Sequence, residues 1–160
     1  MVETSFSDAD IAKLAINMEA RGMAFYKSAA RLSDNPEVVR IFHKLAEEEK
    51  EHREIFTKLF TNLTGENKLF TRETAAYLKA VLSSSLFPEH DQADKVLEGV
   101  KTVQEALAVG IQAEKDAILL YHELYQNAEN DETREVLSKL LEEEKMHLVD
   151  LRDYLEDLRA

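Results

Sequence analysis

The chain has 160 residues, enough for one buried core, and its four Gly and two Pro leave little turn punctuation between stretches rich in Ala, Leu, Glu and Lys. A formal net charge of −12, from 32 acidic and 20 basic residues, disfavours nucleic-acid phosphates and anionic membrane surfaces. The absence of cysteine excludes disulfides, thiolate zinc sites, iron–sulfur clusters and cysteine nucleophiles.

The first helix is expected to start at Ser7, with Asp10 in a capping-box position and Phe6 and Ile11 flanking as a hydrophobic staple. Apolar residues recur at helical spacing from Ile11 through Leu14, Met18 and Phe25 to Leu32. Ser33-Asp34 ends this run, Asn35 suits an N-cap, and Pro36 suits the first position of the next helix. That second helix is expected to reach about Leu63, with Gly65 as its stop. Residues 66–101 form a long connection in which TRETAAYLKAVLSSSLF (71–87) predicts a shorter helix ended by Phe87-Pro88. The third long helix opens at Thr102, where TVQE is a capping box, with Leu107, Gly110, Ile111, Ile118, Tyr121 and Tyr125 on its seam. NAEND (127–131) breaks it, and the fourth helix runs from about Glu132 to Leu158 with Val136, Leu140, Leu151, Leu155 and Leu158 on its inner face.

The expected fold is all-α. Two antiparallel helical hairpins are joined by a long crossover that lets helices two and three run parallel, in one domain spanning residues 1–160. No apolar run approaches the ~20 residues that span a bilayer, and the N-terminus lacks a basic region followed by an apolar stretch. A soluble, cytoplasmic protein is therefore expected.

The two hairpins repeat. An offset of 95 residues carries Glu19 onto Glu114, Tyr26 onto Tyr121, Asn35 onto Asn130, Glu47-Glu48-Glu49-Lys50 onto Glu142-Glu143-Glu144-Lys145 and His52 onto His147, without a gap. Glu19, Glu49, His52, Glu114, Glu144 and His147 all fall on the apolar seams, each near the middle of its helix. Helix midpoints meet at one height in an antiparallel bundle, so four carboxylates and two imidazoles are expected to converge in the centre. Burying even one unpaired carboxylate costs several kcal/mol. No Lys or Arg shares those seams at that height, and two divalent cations would balance the four negative charges. Oxygen and nitrogen donors without sulfur suit iron or manganese. Paired carboxylates with two Glu-x-x-His motifs are the arrangement of di-iron and di-manganese bundles. In that reading Glu49 and Glu144 bridge the metals, while Glu19, Glu114, His52 and His147 each hold one.

Blander readings apply to the other residues. Glu is common enough for Glu-x-x-His to arise by chance, and EEEKEH can be a solvated face, which accounts for Glu47, Glu48 and Glu51. Tyr26 and Tyr121 sit two turns from the terminal glutamates, either packing the core with a satisfied hydroxyl or donating protons. His43, His90 and His122 lack a seam position or a matching Glu and read as surface residues. Met18, Met23 and Met146 read as core filling or flank. Asn17 and Gln112 are repeat-equivalent and adjoin the site by one turn.

Glu19, EEEKEH (47–52), AEKDAILLY (113–121) and EEEKMH (142–147) resemble the rubrerythrin-like branch of the ferritin-like di-iron proteins, over about residues 8–158. The resemblance implies a ferritin-like four-helix bundle, two iron ions, a homodimer, and reduction of hydrogen peroxide, or dioxygen, to water. Typical members carry a cysteine-ligated rubredoxin domain. This chain has no cysteine, so its electrons are expected from a separate rubredoxin-like donor. Typical members also place a second glutamate three residues after the third-helix ligand, where this chain has Ala117. A more symmetric site with four glutamates and two histidines is expected. The alternatives are a ferroxidase or storage protein, a helical module with a structural metal or none, and a manganese catalase-like enzyme.

Overall fold

A computed structural model describes residues 8–61, 70–83 and 99–160. The described residues form five α-helices, a short 3₁₀ turn and no strand. The helices are α1 (Asp8–Ala29), α2 (Pro36–Phe60), α3 (Arg72–Ser83), α4 (Val103–Asn127) and α5 (Asp131–Arg159). The expected roles of Phe6, Ser7, Gly65, Phe87, Pro88 and His90 lie outside the described residues.

Local chemistry sets the helix starts. Asn35 accepts a hydrogen bond from the Glu37 N–H at 2.9 Å ahead of Pro36, and its repeat counterpart Asn130 accepts one from Thr133 at 2.8 Å. Thr102 and Glu105 form the full reciprocal capping box of α4. The first helix does not run straight to Leu32, because Ala30–Leu32 tighten into a 3₁₀ turn before Ser33 becomes extended. These caps keep the turns short, so α1–α2 and α4–α5 are antiparallel hairpins.

Side-chain register fixes how the hairpins meet. Tyr26 of α1 bonds Glu114 of α4 while Tyr121 of α4 bonds Glu19 of α1, so these helices run antiparallel. Lys44 reaches Asp150, and His52 reaches Glu143, giving α2 and α5 the same opposed sense. It follows that α2 and α4 run parallel, as the long connection between them requires. The third helix packs on α1 and α4 through Ala75, Leu78 and Leu82.

Two apolar clusters fill the bundle, one on each side of its polar middle. Phe25, Tyr26, Phe42, Leu107, Leu151 and Leu155 belong to the first, and Ile11, Phe56, Leu78, Tyr121, Leu137 and Leu140 to the second. On each long helix the six polar seam residues fall between members of the two clusters. The expected seam of α4 needs correction: Leu120 and Leu124 are buried whereas Tyr125 is 38% exposed. The cause is α3, whose Leu78 and Leu82 share a cluster with Leu120 and Leu124 and so widen the covered arc of α4. Leu158 is also exposed, at the last turn of α5, and Met146 projects outward while Met18 is buried.

Around the tyrosines the repeat exchanges Phe and Leu: Phe42 and Leu151 share a cluster with Tyr26, and their counterparts Leu137 and Phe56 share one with Tyr121. Replacing fully buried Phe42 by Ala is predicted to destabilise the protein by ~3–5 kcal/mol. Phe42→Leu, which installs the residue found at its repeat counterpart, is predicted to cost under about 1.5 kcal/mol. Denaturant unfolding of the two variants beside the parent measures both.

Candidate metal centre

Glu19, Glu49, His52, Glu114, Glu144 and His147 converge, and each is at most 5% exposed. Amphipathic spacing put them on the inner faces, and the antiparallel register brings the four midpoints together. Their donor atoms form two groups, Glu19, Glu49, His52 and Glu144, and Glu49, Glu114, Glu144 and His147. Within each group the atoms lie within 4.8 Å of one another, close enough to hold a metal ion. Glu49 and Glu144 belong to both groups.

Glu144 is the pivot of the arrangement. Its Oε1 lies 2.7 Å from Nδ1 of His52, and its Oε2 lies 3.2 Å from Nδ1 of His147. The imidazole rings stack with centroids 5.7 Å apart. Nδ1 of His52 also lies 3.8 Å from Glu19, and Nδ1 of His147 lies 3.7 Å from Glu114. Both rings therefore present the same nitrogen to the carboxylates.

The outer nitrogens meet Glu143 and Glu48, the latter expected on a solvated face. Nε2 of His52 donates to Glu143 at 2.9 Å, and Nε2 of His147 lies in ion-pair contact with Oε2 of Glu48 at 2.9 Å. These contacts cross between hairpins, from α2 to α5 and from α5 to α2. They orient the rings and leave Nδ1 directed inward, the role such partners play around metal-bound histidines. Reading Glu48 as part of a solvated face was incorrect. The recoverable signal was its repeat equivalence to Glu143, directly beside the Glu-x-x-His motifs.

The tyrosines are placed reciprocally. Tyr26 donates to Oε1 of Glu114 at 2.6 Å, and Tyr121 donates to Oε1 of Glu19. Their hydroxyls are thus satisfied within the cluster itself. A Cβ on Gly110 would stand 3.0 Å from the Tyr26 hydroxyl, so the missing side chain makes room for that ring. His43 and His122 are exposed and apart from the cluster, as expected. Gln112 donates to Asp116 at 3.1 Å.

With protein groups alone, this charge set is frustrated. Burial pushes Glu19, Glu49 and Glu114 above the ordinary carboxyl range of 4.5, and repulsion from Glu144 adds to it in each, although a hydrogen bond with Glu49 acts against it at Glu19. Burial acts likewise on Glu144, but hydrogen bonds from Glu114 and both histidines outweigh it and hold Glu144 well below 4.5. Burial opposes charge on the histidines. Contacts with Glu144 nevertheless raise His52 to about 9, and Glu114, Glu144 and Glu48 raise His147 to about 12. Even so, buried Glu19 Oε2, His52 Nδ1 and Glu144 Oε1 have no aligned hydrogen-bond partner. Polar atoms left in this state, facing one another among oxygen and nitrogen donors, fit a pair of hard or borderline divalent cations.

Comparison with known proteins agrees with this geometry. The family model for rubrerythrin matches residues 10–155. A crystal structure from Thermotoga maritima, described as a ferritin-like diiron-carboxylate protein, superposes with a TM-score of 0.69 at 28% identity, covering 92% of this chain and 93% of that one. No curated protein matches the chain. The fold is therefore ferritin-like, as the hairpin repeat and crossover led us to expect. Among the described residues no helix is long and apolar enough to cross a membrane.

The protonation pattern predicts how the metal-free protein responds to pH. The raised values of His52 and His147 favour the folded state fully below the free-chain value of 6.5, and that contribution is lost as pH rises through about 9 for His52. Raised Glu19, Glu49 and Glu114 act with the same sign above 4.5, while lowered Glu144 acts oppositely, losing stability only toward acid. The melting temperature of chelator-treated protein is predicted to fall between pH 6.5 and 9. A flat or rising trend there would contradict this electrostatic assignment.

Proposed function

Since the chain belongs to the rubrerythrin family, we propose that it is a di-iron oxidoreductase that reduces hydrogen peroxide to water with electrons from a separate donor protein. The observation that carries the proposal is the pair of four-residue groups sharing Glu49 and Glu144. In this reading Glu49 and Glu144 are common to both iron positions, Glu19 and His52 complete one, and Glu114 and His147 complete the other. A bound iron pair would supply two electrons at adjacent positions, the number needed to cleave the O–O bond of peroxide.

The protein's own groups supply the rest. Glu143 accepts from Nε2 of His52 and Glu48 lies against Nε2 of His147, which leaves Nδ1 of each ring as the ligating atom in this reading. Phe56 and Tyr121 rings meet at 4.9 Å, and Phe42 stacks on Tyr26 at 6.1 Å. Those contacts exclude water from both ends of the cluster. Burial and the adjacent carboxylates keep both tyrosines well above their ordinary value of 10. They therefore stay protonated and hold an O–H against Glu114 and Glu19, where each can give a proton through its carboxylate to a product oxygen. The 160 residues hold no cysteine that could ligate an iron–sulfur centre, and the reading therefore draws its electrons from a separate donor.

Ala117 supports the symmetric form of the site. It is 5% exposed and lies in the apolar cluster with Leu120 and Phe56, and its repeat counterpart is Gly22, also buried. No carboxylate competes at either position to draw a metal away from its histidine. The same ligands serve a ferroxidase or iron-storage role, which differs in what happens after oxidation.

Anaerobic mixing of the ferrous protein with peroxide separates these readings. Peroxide is predicted to oxidise the site at least ~10-fold faster than air-saturated buffer does, with repeated turnover once reductant is present. Oxidation no faster than by air, followed by retention of ferric iron beyond two per chain, would favour storage instead.

A further inference from the structure

The outer face of the α1–α2 hairpin carries positive charge on a chain of net charge −12. Met23, Lys27, Lys50, Arg53, Glu54 and Lys58 line a groove of about 580 Å³, four cations against one carboxylate. Lys50 is paired with Glu47 at 2.9 Å. Lys27, Arg53 and Lys58 are exposed and have no carboxylate partner among the described residues. In isolation such charges cost little, but gathered on an acidic protein they form a local field of opposite sign to the whole.

The repeat shows that this charge is not required by the hairpin. The positions equivalent to Met23, Lys27, Arg53, Glu54 and Lys58 are Ile118, His122, Leu148, Val149 and Asp153. On that second face Lys145 and Arg152 are each neutralised by a glutamate, Glu142 at 2.8 Å and Glu156 at 3.0 Å, and Lys115 stands alone. All six cluster residues and both tyrosines are duplicated, yet among the described residues the first face gathers three exposed cations without a carboxylate partner, whereas the second has only Lys115 in that state.

The groove also lies close to the cluster. Met23 is one turn beyond Glu19 on α1, and Lys50 and Arg53 directly follow Glu49 and His52 on α2. One helix, roughly 10 Å across, separates the surface from the buried groups.

We propose that this groove is the docking surface for the electron donor, and that the donor is a protein presenting an acidic face around a one-electron redox centre. The proposal rests on the reductase reading for its purpose. Two donor molecules each lose one electron; those two electrons and two protons convert one peroxide into two waters, breaking the O–O bond and forming two O–H bonds. Charge attraction between the cationic groove and an acidic face would speed and orient the encounter, while the remaining acidic surface repels the donor elsewhere.

The test uses the full-length, iron-loaded protein and a plant-type [2Fe–2S] ferredoxin as the acidic one-electron probe. Binding is followed by fluorescence anisotropy of labelled ferredoxin at low ionic strength. Reduction of the oxidised site by reduced ferredoxin is followed anaerobically without peroxide. The variant K27E/R53E/K58E is compared with K139E/R152E/R159E, which changes net charge equally on other surfaces. The groove variant is expected to lose about 10-fold or more in both affinity and reduction rate, with a weaker salt dependence. The control is expected to lose less than about twofold, and small-molecule dithionite should reduce all three proteins alike. No binding by the parent, an unaffected groove variant, or equal losses in both variants would overturn the proposal. Failure of the ferrous protein to consume peroxide while the groove effect persists would instead remove the peroxide reading and leave the docking surface standing.

Discussion

Four carboxylates share the dry centre of this protein, and that arrangement governs the structure around it. Each would cost several kcal/mol if buried ionised and unpaired. The fold answers with every available local device. Imidazoles lie between carboxylates, Glu48 and Glu143 fix the imidazoles from outside, and Tyr26 and Tyr121 donate to the terminal glutamates. Without a metal, burial and repulsion from Glu144 favour the protonated forms of Glu19, Glu49 and Glu114, while contacts with Glu114 and two histidines favour the ionised form of Glu144. In the proposed di-iron reading, a pair of divalent cations would take the place of those protons and satisfy the orphaned oxygens together. Metal uptake is thereby linked to proton release.

The repeat distributes this burden evenly but is not perfect. Each hairpin contributes one lone glutamate, one Glu-x-x-His motif, one outer carboxylate and one tyrosine. Packing around the tyrosines exchanges Phe and Leu, and Gly110 clears space beside Tyr26 where the counterpart position holds Ala15. Symmetry is strict where electrostatics demands it and loose where apolar volume only has to be filled. The outer faces diverge most, one cationic and grooved, the other apolar and charge-paired.

Much of this was legible in the residues. Asn35-Pro36, Thr102-x-x-Glu105 and Asn130 marked helix starts because capping is a local interaction that three or four residues complete. The six cluster residues stood out because a charged group on an apolar face is informative in a way that an exposed charge is not. The burial of Leu120 and Leu124 was not legible, nor was the exposure of Tyr125. A single helical stripe assumes one neighbour face, and α4 is covered from α1, α5 and α3. Glu48 and Glu143 were missed for a related reason. On their own helices they point off the seam, and they gain a role only through a histidine on the opposite hairpin.

The central claim is that these six buried groups require a dinuclear cation site, and metal content measures it most directly. Protein purified without chelators and analysed by plasma mass spectrometry is predicted to carry two transition-metal ions per chain. Glu144→Gln, which removes charge from the shared position while keeping its shape, is predicted to lose both, with far-ultraviolet circular dichroism confirming an intact helical fold. Parent protein that binds no transition metal when offered ferrous iron anaerobically, or a folded Glu144→Gln variant that retains two ions, would contradict the account.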